Sequence, residues 1–120
     1  HAVIHDELAA ELRSLGTLGH FAVDIQGVLR EFCRTETVLD GFDLPDPLAM
    51  AIALDPSIVT REAQHFVDVI PGDSAARGQT IVDERGASGK DVNCRVIYEA
   101  DRDRFLDMLH QALRDAGPGN

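Results

Sequence analysis

At 120 residues the chain has the size of one modest domain or a piece of a larger one, and its 44% hydrophobic and 27% charged residues read as globular rather than disordered. Its longest apolar run, "LAMAIAL" at 48–54, is far too short to cross a bilayer, so no membrane partner is expected. Eleven Lys and Arg against 21 Asp and Glu give a net charge of −10, which argues against a nucleic-acid partner and is compatible with a pocket for a divalent cation.

The chain opens on "HAVIH", a short extended piece. "DELAAELRSL", 6–15, predicts a helix with Asp6 as N-cap, Leu8, Leu12 and Leu15 at helical spacing, and Gly16 as its stop. "LGHFAVDIQGVLREFCRTE" predicts a second helix with Phe21, Ile25, Val28, Leu29 and Phe32 along one face, weakened in its middle by Gly27. A loop, "TVLDGFDL", leads to "PDPLAMAIAL", where Asp46 before Pro47 signals a helix start and Asp55-Pro56 its end. Three strands follow: "EAQHFVDVI" at 62–70, "GQTIVDE" at 78–84 and "VNCRVIYEA" at 92–100, the last with Val92, Cys94, Val96 and Tyr98 on one face. "DRDRFLDMLHQALRDA" predicts a closing helix with Phe105, Leu106, Leu109 and Leu113 as its apolar side, and residues 116–120 a frayed tail. Helices, then about three strands, then a terminal helix make an α/β or α+β arrangement.

Cys33 and Cys94 match no zinc spacing and read as two reduced thiols of a cytoplasmic protein. No basic segment followed by a long apolar stretch marks a signal peptide, and His1 rather than Met stands first, which points to a start further upstream. Asp101, Asp103 and Asp107 form an acidic group, but "RFLD" continues a helical pattern, and residues two apart on a helix diverge. An acidic first turn is what helix electrostatics favour in any case. His1 and His5 lie four apart in a segment that is not helical, so a shared metal is not expected of them, and His20, His65 and His110 are isolated, with surface or packing roles expected. Arg77-Gly78 reads as a turn entering a strand.

"LPDPLAMAIALDPSIVT" resembles a late segment of the inosine–uridine-preferring nucleoside hydrolases, in which D-P-x-A opens a helix that runs into L-D-P. "ARGQTIVDERG" is similar to that family's R-G-x-T-x-x-D strand and loop, "VNCRVIYEADRDRFLDMLHQAL" to its closing strand and helix, and "HAVIHDEL" to the strand entering the preceding helix. The resemblance covers about residues 1–115 but matches only the C-terminal part of a chain more than twice as long, so residues 1–120 are expected to be a partial domain. It implies cleavage of the N-glycosidic bond of a ribonucleoside by water, giving ribose and a free base. It also implies a calcium ion with Asp46 as one metal ligand, a small-molecule nucleoside substrate, and room for a homo-oligomer in the full-length form.

Some members carry a histidine immediately before this aspartate that protonates the leaving base; here Pro45 holds that place and donates no proton. The family's N-terminal D-x-D-x-x-x-D-D cluster, with most calcium ligands and the catalytic base, is not in this sequence, so no catalytic residue is expected within it. By itself, without the resemblance, Asp46 reads as a helix N-cap.

Two functions of different class follow. One is the C-terminal part of a nucleoside hydrolase, inactive as the isolated chain; the alternative is a stand-alone non-catalytic binding domain derived from that fold. "FAVDIQGVLREF" and "LAMAIAL" need more partner surface than 120 residues provide, which favours the first.

Overall fold

The computed structural model describes residues 3–37 and 40–115. They form α1 (Asp6–Ser14), α2 (Thr17–Asp24), α3 (Gly27–Glu36), α4 (Pro45–Leu54), a 3-10 turn (Pro56–Ile58), β1 (Val59–Val69), β2 (Thr80–Asp83), β3 (Cys94–Ala100) and α5 (Arg102–Asp115). The expected order of helices, three strands and a terminal helix is the observed one. The chain divides into two compact units, His1–Ile58 with Asp101–Asn120, and Val59–Ala100.

The helical unit is built on a small apolar core. Ile4, Leu12, Val23, Phe42, Ile58 and Phe105 are all buried to within 2% of full burial. Ile4 is held by an isolated antiparallel bridge to Phe42, its N–H donating to the Phe42 carbonyl at 2.8 Å and its carbonyl accepting from Phe42 N–H at 3.2 Å, so the extended piece before α1 is real where it is described. Gly41 makes this crossing feasible: its φ is +136°, and a Cβ there would sit 2.5 Å from the Ile4 carbonyl oxygen. His1 and residues 116–120, the expected frayed tail, lie outside the described residues.

Three helix expectations need correction. The N-cap of α1 is His5, and Asp6 is the first helical residue instead. The single helix expected over 18–36 is two, α2 and α3. Ile25 and Gln26 close α2 with N–H bonds to Phe21 and Val23, and Arg30 N–H bonds to Gln26 to begin α3. Gly27 sits at that break, where its greater loss of backbone freedom in a helix makes continuation least favourable. The face Phe21, Ile25, Val28, Leu29 and Phe32 is not a core face among the described residues, since each of these side chains is at least 38% exposed. On α5, Phe105 and Leu113 are buried as expected, with Leu106 and Leu109 half-buried.

The second unit is an antiparallel sheet in the order β2-β1-β3. His65 faces Cys94 and Ala63 faces Val96 across β1–β3, while Phe66 faces Asp83 and Val69 faces Thr80 across β1–β2. β1 begins three residues earlier than expected, with register shifts between Val59 and Glu62. β3 begins at Cys94 rather than residue 92, because Asn93 takes over the ladder with its side chain. Its Oδ1 accepts from Val67 N–H at 2.8 Å, and its Nδ2 donates to the Val67 carbonyl at 2.9 Å. Tyr98 donates its hydroxyl to Glu84 at 2.8 Å and lies under the Arg61 guanidinium, 4.5 Å from its ring centre; the Glu84 hydrogen bond holds the Tyr98 hydroxyl above its ordinary pKa.

Candidate functional site

Asp46 lies in the first turn of α4, and the sequence around it explains why it is left over. Leu44 is the N-cap, Pro45 the first helical residue and Asp46 the second. A helix start ordinarily leaves four N–H groups without intrahelical acceptors, and a capping carboxylate serves them. Pro45 and Pro47 have no N–H to serve, and Leu48 N–H already donates to the Leu44 carbonyl at 3.1 Å. The N-cap reading of Asp46 is therefore corrected: its side chain is exposed and, among the described residues, makes no hydrogen bond or ion pair.

As a cation site the surroundings are incomplete. Among the described residues no three His, Cys, Asp or Glu side chains converge into a metal-binding group. A hard cation such as calcium takes 6–8 oxygen donors, so the exposed Asp46 carboxylate fits as one ligand and cannot be the set. Pro45 is the residue beside it, and it offers no acid.

The other aspartates of the matched motifs are engaged structurally. Asp55, of L-D-P, accepts from the Ser57 hydroxyl at 2.6 Å and the Ser57 N–H at 3.0 Å, and pairs with Arg104 at 2.7 Å. These partners, the Ser57 hydroxyl foremost, hold its carboxyl below the usual range. Arg104 also donates to the Ser57 carbonyl at 3.1 Å and fastens the end of α4 to α5. Asp83, of R-G-x-T-x-x-D, accepts from Ser88 N–H at 2.7 Å and Ala87 N–H at 2.9 Å, and hydrogen bonding led by Ser88 brings its pKa down to about 2. Arg77-Gly78 is the turn before β2, as expected, with Gly78 at φ +83° and its N–H donating to Ile70 at 2.9 Å.

The acidic group at 101–107 has the structural role expected of it. Asp101 Oδ1 caps α5 by accepting from the Asp103 and Arg104 N–H groups, both at 3.1 Å, while Asp103 and Asp107 are exposed along the helix. His5 is bonded to the Asp40 carbonyl, His65 meets Tyr98 edge-on at 6.1 Å, and His110 lies between the Leu106 carbonyl at 2.8 Å and Glu11 at 3.1 Å. These are packing and surface contacts. Arg104 and Asn93 are the residues sequence reasoning missed, and the alternating D-R-D-R at the start of α5 was the available signal for the first.

A polar groove of about 570 Å³ lies elsewhere in the helical unit, between α3 and the segment before α4. Its cations are already matched: Arg30 pairs with Asp6 at 2.6 Å and lies over the Phe42 ring, and Arg34 pairs with Glu31 at 2.8 Å. Asp46 does not line it.

Residues 1–107 match the family described as inosine-uridine preferring nucleoside hydrolase. The chain is 34% identical over 73 residues to the pyrimidine-specific ribonucleoside hydrolase RihA of Shewanella woodyi, covering 61% of this chain and 23% of that one. To RihA of Salmonella newport it is 28% identical over 115 residues, covering 94% of this chain and 37% of that one. Among solved structures, an inosine-guanosine nucleoside hydrolase superposes with a TM-score of 0.73 at 23% identity over 93% of this chain and 35% of its own, a likeness of fold. The purine-preferring ribonucleoside hydrolase of Gardnerella vaginalis superposes with a TM-score of 0.70 at 26% identity over 94% of this chain and 36% of its own. The chain thus spans well under half the length of the proteins it matches.

Proposed function

The chain belongs to the inosine-uridine preferring nucleoside hydrolase family, and from that premise we propose that residues 1–120 are the C-terminal part of an enzyme that hydrolyses the N-glycosidic bond of ribonucleosides to ribose and a free base. The observation that carries the reading is Asp46: an exposed carboxylate, free of hydrogen bonds among the described residues, at a helix start whose prolines leave it little to cap.

Asp46 would supply one carboxylate oxygen to a calcium ion. When bound, calcium polarises water and orients the sugar hydroxyls. The remaining donors and the general base are assigned to residues outside 1–120. Pro45 provides no proton to the leaving base, so leaving-group activation falls to another group. The names of the relatives include both pyrimidine-specific and purine-preferring enzymes, and the proposal extends to nucleosides as a class. A cytoplasmic place in nucleoside salvage agrees with the two free thiols, Cys33 and Cys94. A homo-oligomer of the full-length form is compatible with this reading.

In the longer enzyme, Asp46→Ala is expected to lower calcium affinity and turnover together, measured by calcium titration and by uridine or inosine hydrolysis. Unchanged calcium affinity would reduce Asp46 to a helix-start residue.

A further inference from the structure

Every residue of α4 from Leu48 to Leu54 is apolar, and Ala51 alone of them is buried. A helix that is apolar all round belongs in the interior of a domain. Met50 is nevertheless 61% exposed and Leu54 73% exposed, with Ala49 and Ala53 exposed beside them. α2 and α3 also expose apolar side chains, but they carry Asp24, Arg30, Glu31 and Arg34 on other sides, as surface helices do. α4 has no such polar side beyond its first turn.

The exposed residues are also in line with the site. Asp46, Ala49, Met50 and Ala53 are spaced i, i+3, i+4 and i+7, which puts them on one helix face. We propose that this outer face of α4, Ala49, Met50, Ala53 and Leu54, is the seat on which the N-terminal part of the nucleoside hydrolase domain packs, in register with Asp46. The inference rests on the family reading above and names the surface that joins the two parts. Chain length supplies the occupant, since relatives aligned over 94% of this chain are matched over only 36–37% of their own length. A second copy is the weaker occupant, because each copy carries a net charge of −10 and apposed faces would bring two Asp46 carboxylates toward each other.

The test compares the isolated chain with a longer one, in which residues 1–120 follow the part of Salmonella newport RihA that precedes its match. Both carry Cys94→Ser and Met50→Cys, and maleimide labelling is followed at the introduced thiol, with buried Cys33 as the internal control. The introduced thiol is expected to react freely in the isolated chain and at least about 100-fold more slowly in the longer one, with Cys33 protected in both. Rates within about threefold of each other would overturn the proposal. So would loss of Cys33 protection in the longer chain, since the two parts would then not form one domain. Protection in the isolated chain that grows with concentration would seat a second copy there instead, and also overturns it. Uridine turnover by the longer chain carrying native Met50 is read in parallel. Protection without turnover keeps the packing surface and counts against the hydrolase reading; turnover without protection does the reverse.

Discussion

Asp46 and Asp101 both begin helices, and their neighbours give them opposite duties. Asp101 accepts two N–H groups of α5, whereas Pro45 and Pro47 remove the donors that Asp46 would otherwise accept. Loss of a working cap costs about 1 kcal/mol, while a charge at an exposed helix N-terminus contributes roughly 0.3–1 kcal/mol. In the isolated chain Asp101→Ala is therefore expected to lower thermal stability clearly more than Asp46→Ala. Equal losses would show that Asp46 caps after all. Asp83, like Asp55, is acid-sensitive, and its pKa is the lower-lying one to follow. Its pKa falls from 3.8 to about 2 on folding, so its contribution is complete above pH 4 and is lost as pH falls through about 2. Asp83→Asn is expected to flatten the stability–pH curve of the isolated chain between about pH 4 and 2, followed by circular dichroism. An unchanged acid limb would mean that the Ser88 and Ala87 bonds do not hold the loop.

Element by element, what the sequence made legible was what periodicity and turn chemistry encode. The apolar spacing of α1 and α5, the stop at Gly16, the end of α4 before Asp55-Pro56 and three strands in order all followed from local pattern. The break between α2 and α3 was signalled by Gly27, but the unbroken spacing of Phe21, Ile25, Val28 and Phe32 concealed it. Asn93 could not be foreseen as a ladder substitute, because that role depends on the place of Val67, distant in sequence. The engagement of Asp55 by Arg104 is likewise a tertiary fact. Close packing at α1–α2 gives a further check. A Cβ on Gly19 would stand 2.1 Å from the Leu12 carbonyl oxygen, so Gly19→Ala must push the two helices apart. A loss of about 1–3 kcal/mol is expected in a denaturant melt, while Gly27→Ala, with open space at its Cβ, should be neutral or stabilising. A tolerated Gly19→Ala would contradict the observed approach of α1 and α2.

For the whole molecule, the candidate site was legible only through family resemblance, because a single carboxylate has no chemical signature of its own. The same resemblance says why the proposed site is incomplete: a cation that takes 6–8 oxygens would find one proposed donor, Asp46, here, and the chain covers at most 37% of the length of the relatives described above. The isolated chain is expected to show no turnover of inosine or uridine, and measurable hydrolysis by it would contradict the division of ligands and base between two parts of one domain. The most direct measurement is the coding DNA upstream of the His1 codon. The expected result is an open frame, continuous with this one, that carries a D-x-D-x-x-x-D-D cluster. A start codon immediately before His1 would contradict it and make residues 1–120 a stand-alone, non-catalytic domain.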